Sequence, residues 1–236
     1  MDDPTILIPL DVSEPVTPAR GLVELLHPMK IVLLGYYPVP DQTTPDQLQS
    51  EHGDEVTATL DSIAESFTER GASVESLVVF TGDRSKTVDR IANEHACDAV
   101  LTDGEVDGLT DILVALKGDT NLDRIVSFVG ELLKENDANV TLFHVASDEE
   151  DATQTEFILR GAADRLAEEG IDSSRIGWEQ STSGRAADEI ATVAADHDIV
   201  VIGETKPSLK DRILGDIPTD IIDHIDRPVL VVRRSP

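Results

Sequence analysis

The sequence predicts an α/β chain made of two successive units, each an open parallel sheet covered on both faces by helices. Short β-branched runs alternate with amphipathic stretches along all 236 residues, and the order of those runs repeats once along the chain. The length suits two domains at the usual ~100 to 200 residues each.

Taken in order, the first unit opens on the strand Ile6-Leu7-Ile8-Pro9-Leu10, apolar throughout, as strands buried on both faces read. A helix over 17–27 follows, then the strand Lys30-Ile31-Val32-Leu33-Leu34 and a helix over 55–70. Gly71 stands just past that helix, where a left-handed residue ends it. Ser76-Leu77-Val78-Val79-Phe80 is the third strand, 85–96 the next helix, and Ala99-Val100-Leu101-Thr102 the fourth strand. The second unit starts at Asp111-Ile112-Leu113-Val114-Ala115 and continues into a helix over 121–135, whose Ile125, Phe128, Val129 and Leu132 recur at spacings of three and four and so share one face. Val140–Val145 is a strand, 154–169 a helix stopped by Gly170, Arg175–Glu179 a strand, 185–196 a helix and Asp198–Ile202 a strand. A last helix over 218–225, with Pro218 in its first turn, leads to the strand Pro228–Val232.

The repeat is visible when the halves are overlaid. "TILIPLDVSEPVTPARGLVELL" meets "DILVALKGDTNLDRIVSFVGELL", and "TGDRSKTVDRIANEHACDAVLTDG" meets "TSGRAADEIATVAADHDIVVIGE". The boundaries fall at 1–109 and 110–236. Only the second unit continues past its fourth strand; the first lacks a fifth.

Forty-seven acidic residues against 19 basic ones give a net charge of −28, which disfavours nucleic acid and anionic membrane surfaces as partners. With 40% apolar residues the chain does not read as disordered. Thirteen of the 19 basic residues are Arg, and aromatics make up 3%; this composition resembles proteins of salt-loving cells such as halophilic archaea. One cysteine, Cys97, excludes a disulfide framework and a multi-thiolate metal site and reads as a small core residue. The start Met1-Asp2-Asp3-Pro4-Thr5 lacks the basic and apolar regions of a signal peptide, so a cytoplasmic location is expected. The six histidines are scattered; His144, inside a strand, reads as a packed imidazole, and His52 as part of a solvated acidic turn beside Glu51, Asp54 and Glu55. Hydroxyls and Asp at Thr81-Gly82-Asp83 and Ser181-Thr182-Ser183-Gly184 read as helix caps.

In an open parallel sheet, ligands bind beyond the carboxyl ends of the strands, so the loops after the first and fourth strand of each unit are the places for chemistry. They read Pro9-Leu10-Asp11-Val12-Ser13 and Ala115-Leu116-Lys117-Gly118-Asp119 after the first strands, and Gly203 to Pro218 after the fourth strand of the second unit. At these residues, and at the closing "LKDRILGDIPTDIIDHIDRPVLVVRR", the chain resembles the universal stress protein family in its tandem form. The resemblance implies five-stranded nucleotide-binding domains with an Asp after strand one and a G-x2-G-x9-G-[ST] phosphate loop after strand four. It places candidate ligand contacts at Asp11, Lys117, Val145 and Gly184, and in the phosphate loop at Gly203, Lys206, Gly215 and Ile217.

The departures point to a degenerate site. Counted from Gly203, the second glycine position holds Lys206, Gly215 falls one residue early, and Asp216 takes the place of the phosphate-binding hydroxyl. A carboxylate there repels phosphate, with like charges at ~4 Å costing on the order of 1 to 4 kcal/mol. Lys117 replaces the Asp of the second unit, while the first keeps Asp11 but has no phosphate loop. The expected function is therefore a non-catalytic stress-response or regulatory protein with no cofactor. The alternative is a sensor or switch for ATP, AMP or another adenine nucleotide, using Lys117, Lys206 and Lys210 as an altered anion pocket and associated with a transporter. No nucleophile and base stand together at a readable spacing, so catalysis is not expected. The apolar strand Val229 to Val232 reads as a sheet edge that closes a pseudo-dimer between the halves or a homodimer between chains.

Overall fold

The computed structural model describes residues 3–14, 19–102, 104, 108–116, 121–146, 149–182, 185–204, 222 and 224–234, the side chains of 149–151 excepted. The first half contributes β1 (Thr5–Asp11), α1 (Arg20–Leu26), β2 (Lys30–Pro38), α2 (Pro45–Thr68), β3 (Ser73–Thr81), α3 (Arg84–Glu94) and β4 (Ala99–Leu101). The second contributes β5 (Asp111–Ala115), α4 (Leu122–Leu133), β6 (Asn139–Val145), α5 (Glu149–Glu168), a 3-10 turn at Ser173–Arg175, β7 (Ile176–Ser181), α6 (Ala186–Ala194), β8 (Ile199–Gly203) and β9 (Val229–Val232). Every strand expected from the sequence is present. The helix expected over 218–225 lies outside the described residues, apart from Ile222, His224 and Ile225.

One helix begins ten residues earlier than its apolar spacing indicates. α2 starts at Pro45, whose fixed φ and missing N–H suit a first turn, although its opening turns are polar. His52 consequently sits on a helix rather than in a turn, stacked on Tyr37 with ring centroids 5.2 Å apart.

The helix stops repeat between halves. Gly71 and Gly170 take φ of 93° and 101°. The pair Gly71 N–H to Thr68 O and Ala72 N–H to Phe67 O recurs as Gly170 N–H to Ala167 O and Ile171 N–H to Leu166 O. Each is a Schellman closure, with Ala72 and Ile171 folding back onto the core that holds Phe67 and Leu166.

The strands form one nine-stranded sheet, ordered β3-β2-β1-β4-β9-β8-β5-β6-β7. All neighbours are parallel except β4 and β9, which run antiparallel with Ala99 opposite Val232 and Leu101 opposite Leu230. β9 was expected at an edge and is instead interior, with β8 on its other side in register Val200 to Val229. The physical reason is the missing fifth strand of the first half: β4 would otherwise expose unpaired backbone, and β9 supplies it. With both sides taken within the chain, β9 has no edge left for a strand from a second copy, so of the two expected roles it performs the one between the halves. Because of the antiparallel junction, the carboxyl ends of β1 to β4 and those of β5 to β9 lie on opposite rims of the sheet.

Side chains alternate across β9, and this divides the core. Leu230 and Val232 enter a cluster that runs unbroken from Ile6 and Leu60 of the first half to Ile112, Ile125 and Leu159 of the second, beneath α1, α2, α4 and α5. Val229 and Val231 face the opposite side, where a separate cluster lies under α6, and a third, with Val88 and Cys97, lies under α3. Polar clips flank the junction. The Asp98 carboxylate accepts from Thr5 N–H at 2.9 Å and from the Arg124 guanidinium at 2.8 Å, and Arg233 donates to the side chain of Asn93 at 2.8 Å. No helix among the described residues is long and apolar enough to cross a membrane.

Candidate functional site

Each half presents a carboxyl rim where its first and fourth strands end, and the two rims are built differently. In the first half, β1 delivers Asp11 to the rim beside Tyr36 of β2. The Asp11 carboxylate is engaged locally: one oxygen accepts from the Ser13 hydroxyl at 2.6 Å and from the Ser13 N–H at 3.0 Å, an Asx turn that holds the loop. Tyr36 is only 6% exposed, and Arg84 from the start of α3 lies over its ring at 5.0 Å. The Asp83 carboxylate caps α3 by accepting from Lys86 N–H at 3.0 Å, as read from the sequence.

The place where a phosphate loop would leave β4 is filled by chain. Thr102 N–H donates to Val229 O at 2.9 Å, and Val229 N–H returns to the Thr102 hydroxyl at 3.0 Å. Two residues on, a Cβ on Gly104 would lie 2.2 Å from the backbone N of Pro228 and 2.5 Å from the carbonyl carbon of Arg227. Only glycine lets these two backbones pass. The segment entering β9 therefore occupies the space beside β4 at this rim.

The second rim is described at the ends of β5, β6 and β8. β8 ends at Gly203, where a Cβ would meet the Ile125 Cδ1 of α4 at 2.6 Å. That glycine lets α4 pack closely over the strand end. Asn121, at the head of α4 with φ of 61°, has its Nδ2 buried without a hydrogen-bond partner among the described residues, 4.0 Å from the position of that Cβ. The His144 ring is buried and bonds through Nδ1 to Leu116 O at 2.5 Å, the packed imidazole expected. Val145 is half-buried next to it. Glu204 turns back to the tail: its carboxylate accepts from Arg234 N–H at 2.9 Å and its carbonyl from the Arg234 guanidinium at 3.1 Å. Its carboxylate is thus held by backbone while its own position leads into the phosphate-loop sequence.

Of the residues singled out by sequence, Asp11 lies on the first rim, and Val145 and Gly203 lie on the second, so Asp11 is not brought together with the other two. Lys117, Gly184, Lys206, Gly215 and Ile217 lie outside the described residues, as do Lys210 and Asp216. Sequence reading passed over Tyr36, Arg84 and Gly104. The overlay does hold the signal for Tyr36, which falls on the position of Val145, but nothing in a single sequence marks Gly104 as touching residue 228.

Elsewhere, an open cavity of about 350 Å³ lies at the junction, lined by Pro4, Asp98, Arg124, Phe128 and Arg165 among others. Its charges are already engaged, Arg124 with Asp98 and Arg165 with Asp123. Among the described residues no group of three or more His, Cys, Asp or Glu could hold a metal ion. Cys97 is 3% exposed, and burial pushes its thiol up to about 11.

Comparison with known proteins bears on the family and the fold. A family model described as the universal stress protein family matches residues 108–233. Among solved structures, a universal stress protein from Archaeoglobus fulgidus DSM 4304 superimposes with a TM-score of 0.67 at 17% identity, over 98% of this chain and 96% of its own. A functionally unknown protein from Pseudomonas aeruginosa PAO1 gives 0.60 at 17% identity over 99% of this chain and 94% of its own. The cytoplasmic domain of a prokaryotic cation chloride cotransporter gives 0.57 at 14% identity over 99% and 96%. At such identities the likeness is one of fold. No curated protein sequence matches the chain.

Proposed function

The chain belongs to the universal stress protein family, and from that premise we propose that it is a tandem, non-catalytic stress-response or regulatory protein whose two nucleotide cradles are both out of use. The observation that carries this reading is the contact at Gly104, where the backbone entering β9 leaves 2.2 Å for a Cβ and so no room for a phosphate loop beside β4. In the first half Oδ1 of Asp11 is also taken up by Ser13. In the second half the reading rests on sequence: Lys117 in place of the Asp, Lys206 in place of a glycine, and Asp216 at the position of the phosphate-binding hydroxyl. A buried thiol held mostly protonated supports reading Cys97 as a core residue.

Titration calorimetry with ATP, ADP and AMP, with magnesium and at about 2 M KCl to screen the net charge, tests it. The expected result is no saturable binding with a dissociation constant below about 1 mM, a free energy weaker than about −4 kcal/mol. Two sites per chain would refute closure of the first rim.

A second reading is favoured by one specific observation, the buried and unpartnered Asn121 Nδ2 beside Gly203. In it the second half alone is an adenine-nucleotide switch, with Asn121 donating to the ligand and Lys117, Lys206 and Lys210, read from the sequence, supplying the charge. One site per chain, lost in Asn121→Ala, would favour it over the first.

A further inference from the structure

The nine-stranded sheet ends in two open edges, and they differ in what they offer. β7 is six residues long, with Gly177 and Glu179 in its span, and Arg160 lies over the Trp178 ring at 5.4 Å. Short length, glycine and charge are the usual means of blunting an edge. β3 is blunted less: it runs nine residues, Ser-Val-Glu-Ser-Leu-Val-Val-Phe-Thr, without glycine, and its one charge, Glu75, is drawn to His95.

The direction of its backbone groups can be read from one bond. Thr81 O accepts from Val39 N–H at 2.9 Å, on the side of β2. In a strand with parallel pairing the N–H and C=O of one residue point to the same side and successive residues alternate. The groups of Leu77 and Val79 therefore turn toward β2, and those of Val74, Ser76, Val78 and Phe80 turn outward, where no described residue bonds to them. Their side chains leave this edge approachable: Ser76 is exposed and the other three are half-buried.

We propose that β3 pairs antiparallel with β3 of a second copy of this chain, about a two-fold axis through Leu77, so that the sheet continues across a homodimer. A second copy fits because the strand is complementary to itself. In this register Val74 stands opposite Phe80 of the partner subunit and Ser76 opposite Val78 of the partner subunit, so every outward residue meets an outward residue and about eight backbone hydrogen bonds form. Glu75 stands opposite Val79 of the partner subunit, so no carboxylate on the strand faces its own copy; Glu75 also takes its own chain's His95 at 3.1 Å. What opposes association is the flanking α2, which packs on β3 and carries Asp61 and Glu65, with Glu69 at its C-cap. Those charges make the dimer strengthen with salt.

Sedimentation of the full chain, wild type and Ser76→Pro, tests the proposal. Ser76 is exposed and its N–H points outward, so proline removes an edge donor without costing a bond to β2. In about 2 M KCl the wild type is expected at twice the chain mass, with a dissociation constant at least about tenfold lower than in 0.1 M KCl, and Ser76→Pro at one chain mass with an unchanged far-ultraviolet spectrum. Hydrogen exchange on the wild type needs no variant: between about 1 μM and 100 μM protein, the amides of Val74, Ser76, Val78 and Phe80 gain at least about tenfold protection, while those of Leu77 and Val79 do not change. A wild type of one chain mass at 100 μM in both salts overturns the proposal. So does a dimer that survives Ser76→Pro, or one whose formation protects another segment instead.

Discussion

Gly104 and Gly203 both lack room for a side chain, yet the obstacles differ in kind. At Gly104 the obstacle is the Pro228 backbone at 2.2 Å; at Gly203 it is the terminal methyl of Ile125 at 2.6 Å, which can rotate away. Gly104→Ala is therefore expected to destabilise the fold by about 2 to 4 kcal/mol and Gly203→Ala by less than about 1.5 kcal/mol, read as midpoints of chemical unfolding. Equal costs would refute the close crossing at the junction. Cys97 offers a second test at this scale. With its thiol raised to about 11 and buried, its reaction with a disulfide reagent at pH 8 should be at least about 100-fold slower in the native than in the unfolded protein. Asp111 offers a third: the Thr110 hydroxyl, and then the Asn139 amide, hold its carboxyl below the usual range. A depressed folded value means that the stabilisation is present above the ordinary aspartate range near ~3.9 and is lost as pH falls through the folded value. The stability advantage of wild type over Asp111→Asn should accordingly be constant above about pH 5 and shrink below about pH 4.

At the scale of elements, strands were easy to read because those buried on both faces appear as unbroken apolar runs, as Ile31–Leu34 and Ile199–Ile202 do. Helix stops were legible at Gly71 and Gly170 because a positive φ selects glycine. The start of α2 was not, since residues 45–54 offer Leu48 as their one large apolar side chain and the stretch reads as a loop. Nor was the place of β9. Its apolar character marks a buried strand, but whether it lies at an edge or inside depends on β4 having no other neighbour beyond β1, a relation between residues as far apart in sequence as Leu101 and Leu230. The same limit hid the candidate site: Asp11 could be singled out as a residue type, while its engagement by Ser13 and the crossing at Gly104 belong to the folded geometry. Because Leu230 is fully buried between the two halves, Leu230→Ala is expected to cost about 2 to 5 kcal/mol, as much as a core leucine within either half.

At the scale of the whole molecule, the two halves share one sheet and one continuous core, which ties their stabilities together. A single calorimetric unfolding transition is expected, with Leu230→Ala lowering it as one peak rather than splitting it. The shared sheet also explains the asymmetry of the rims. Joining the halves antiparallel through β9 satisfies the open edge of β4, and the chain that does so closes the rim of the first half. In the second half the corresponding rim is described at the ends of β5, β6 and β8.

Titration of ATP with magnesium into the full chain at about 2 M KCl bears most directly on whether that remaining rim is a working cradle. If both cradles are out of use, as proposed, no saturating heat appears up to about 1 mM nucleotide; binding at micromolar concentration, whether to one site or two, contradicts that proposal.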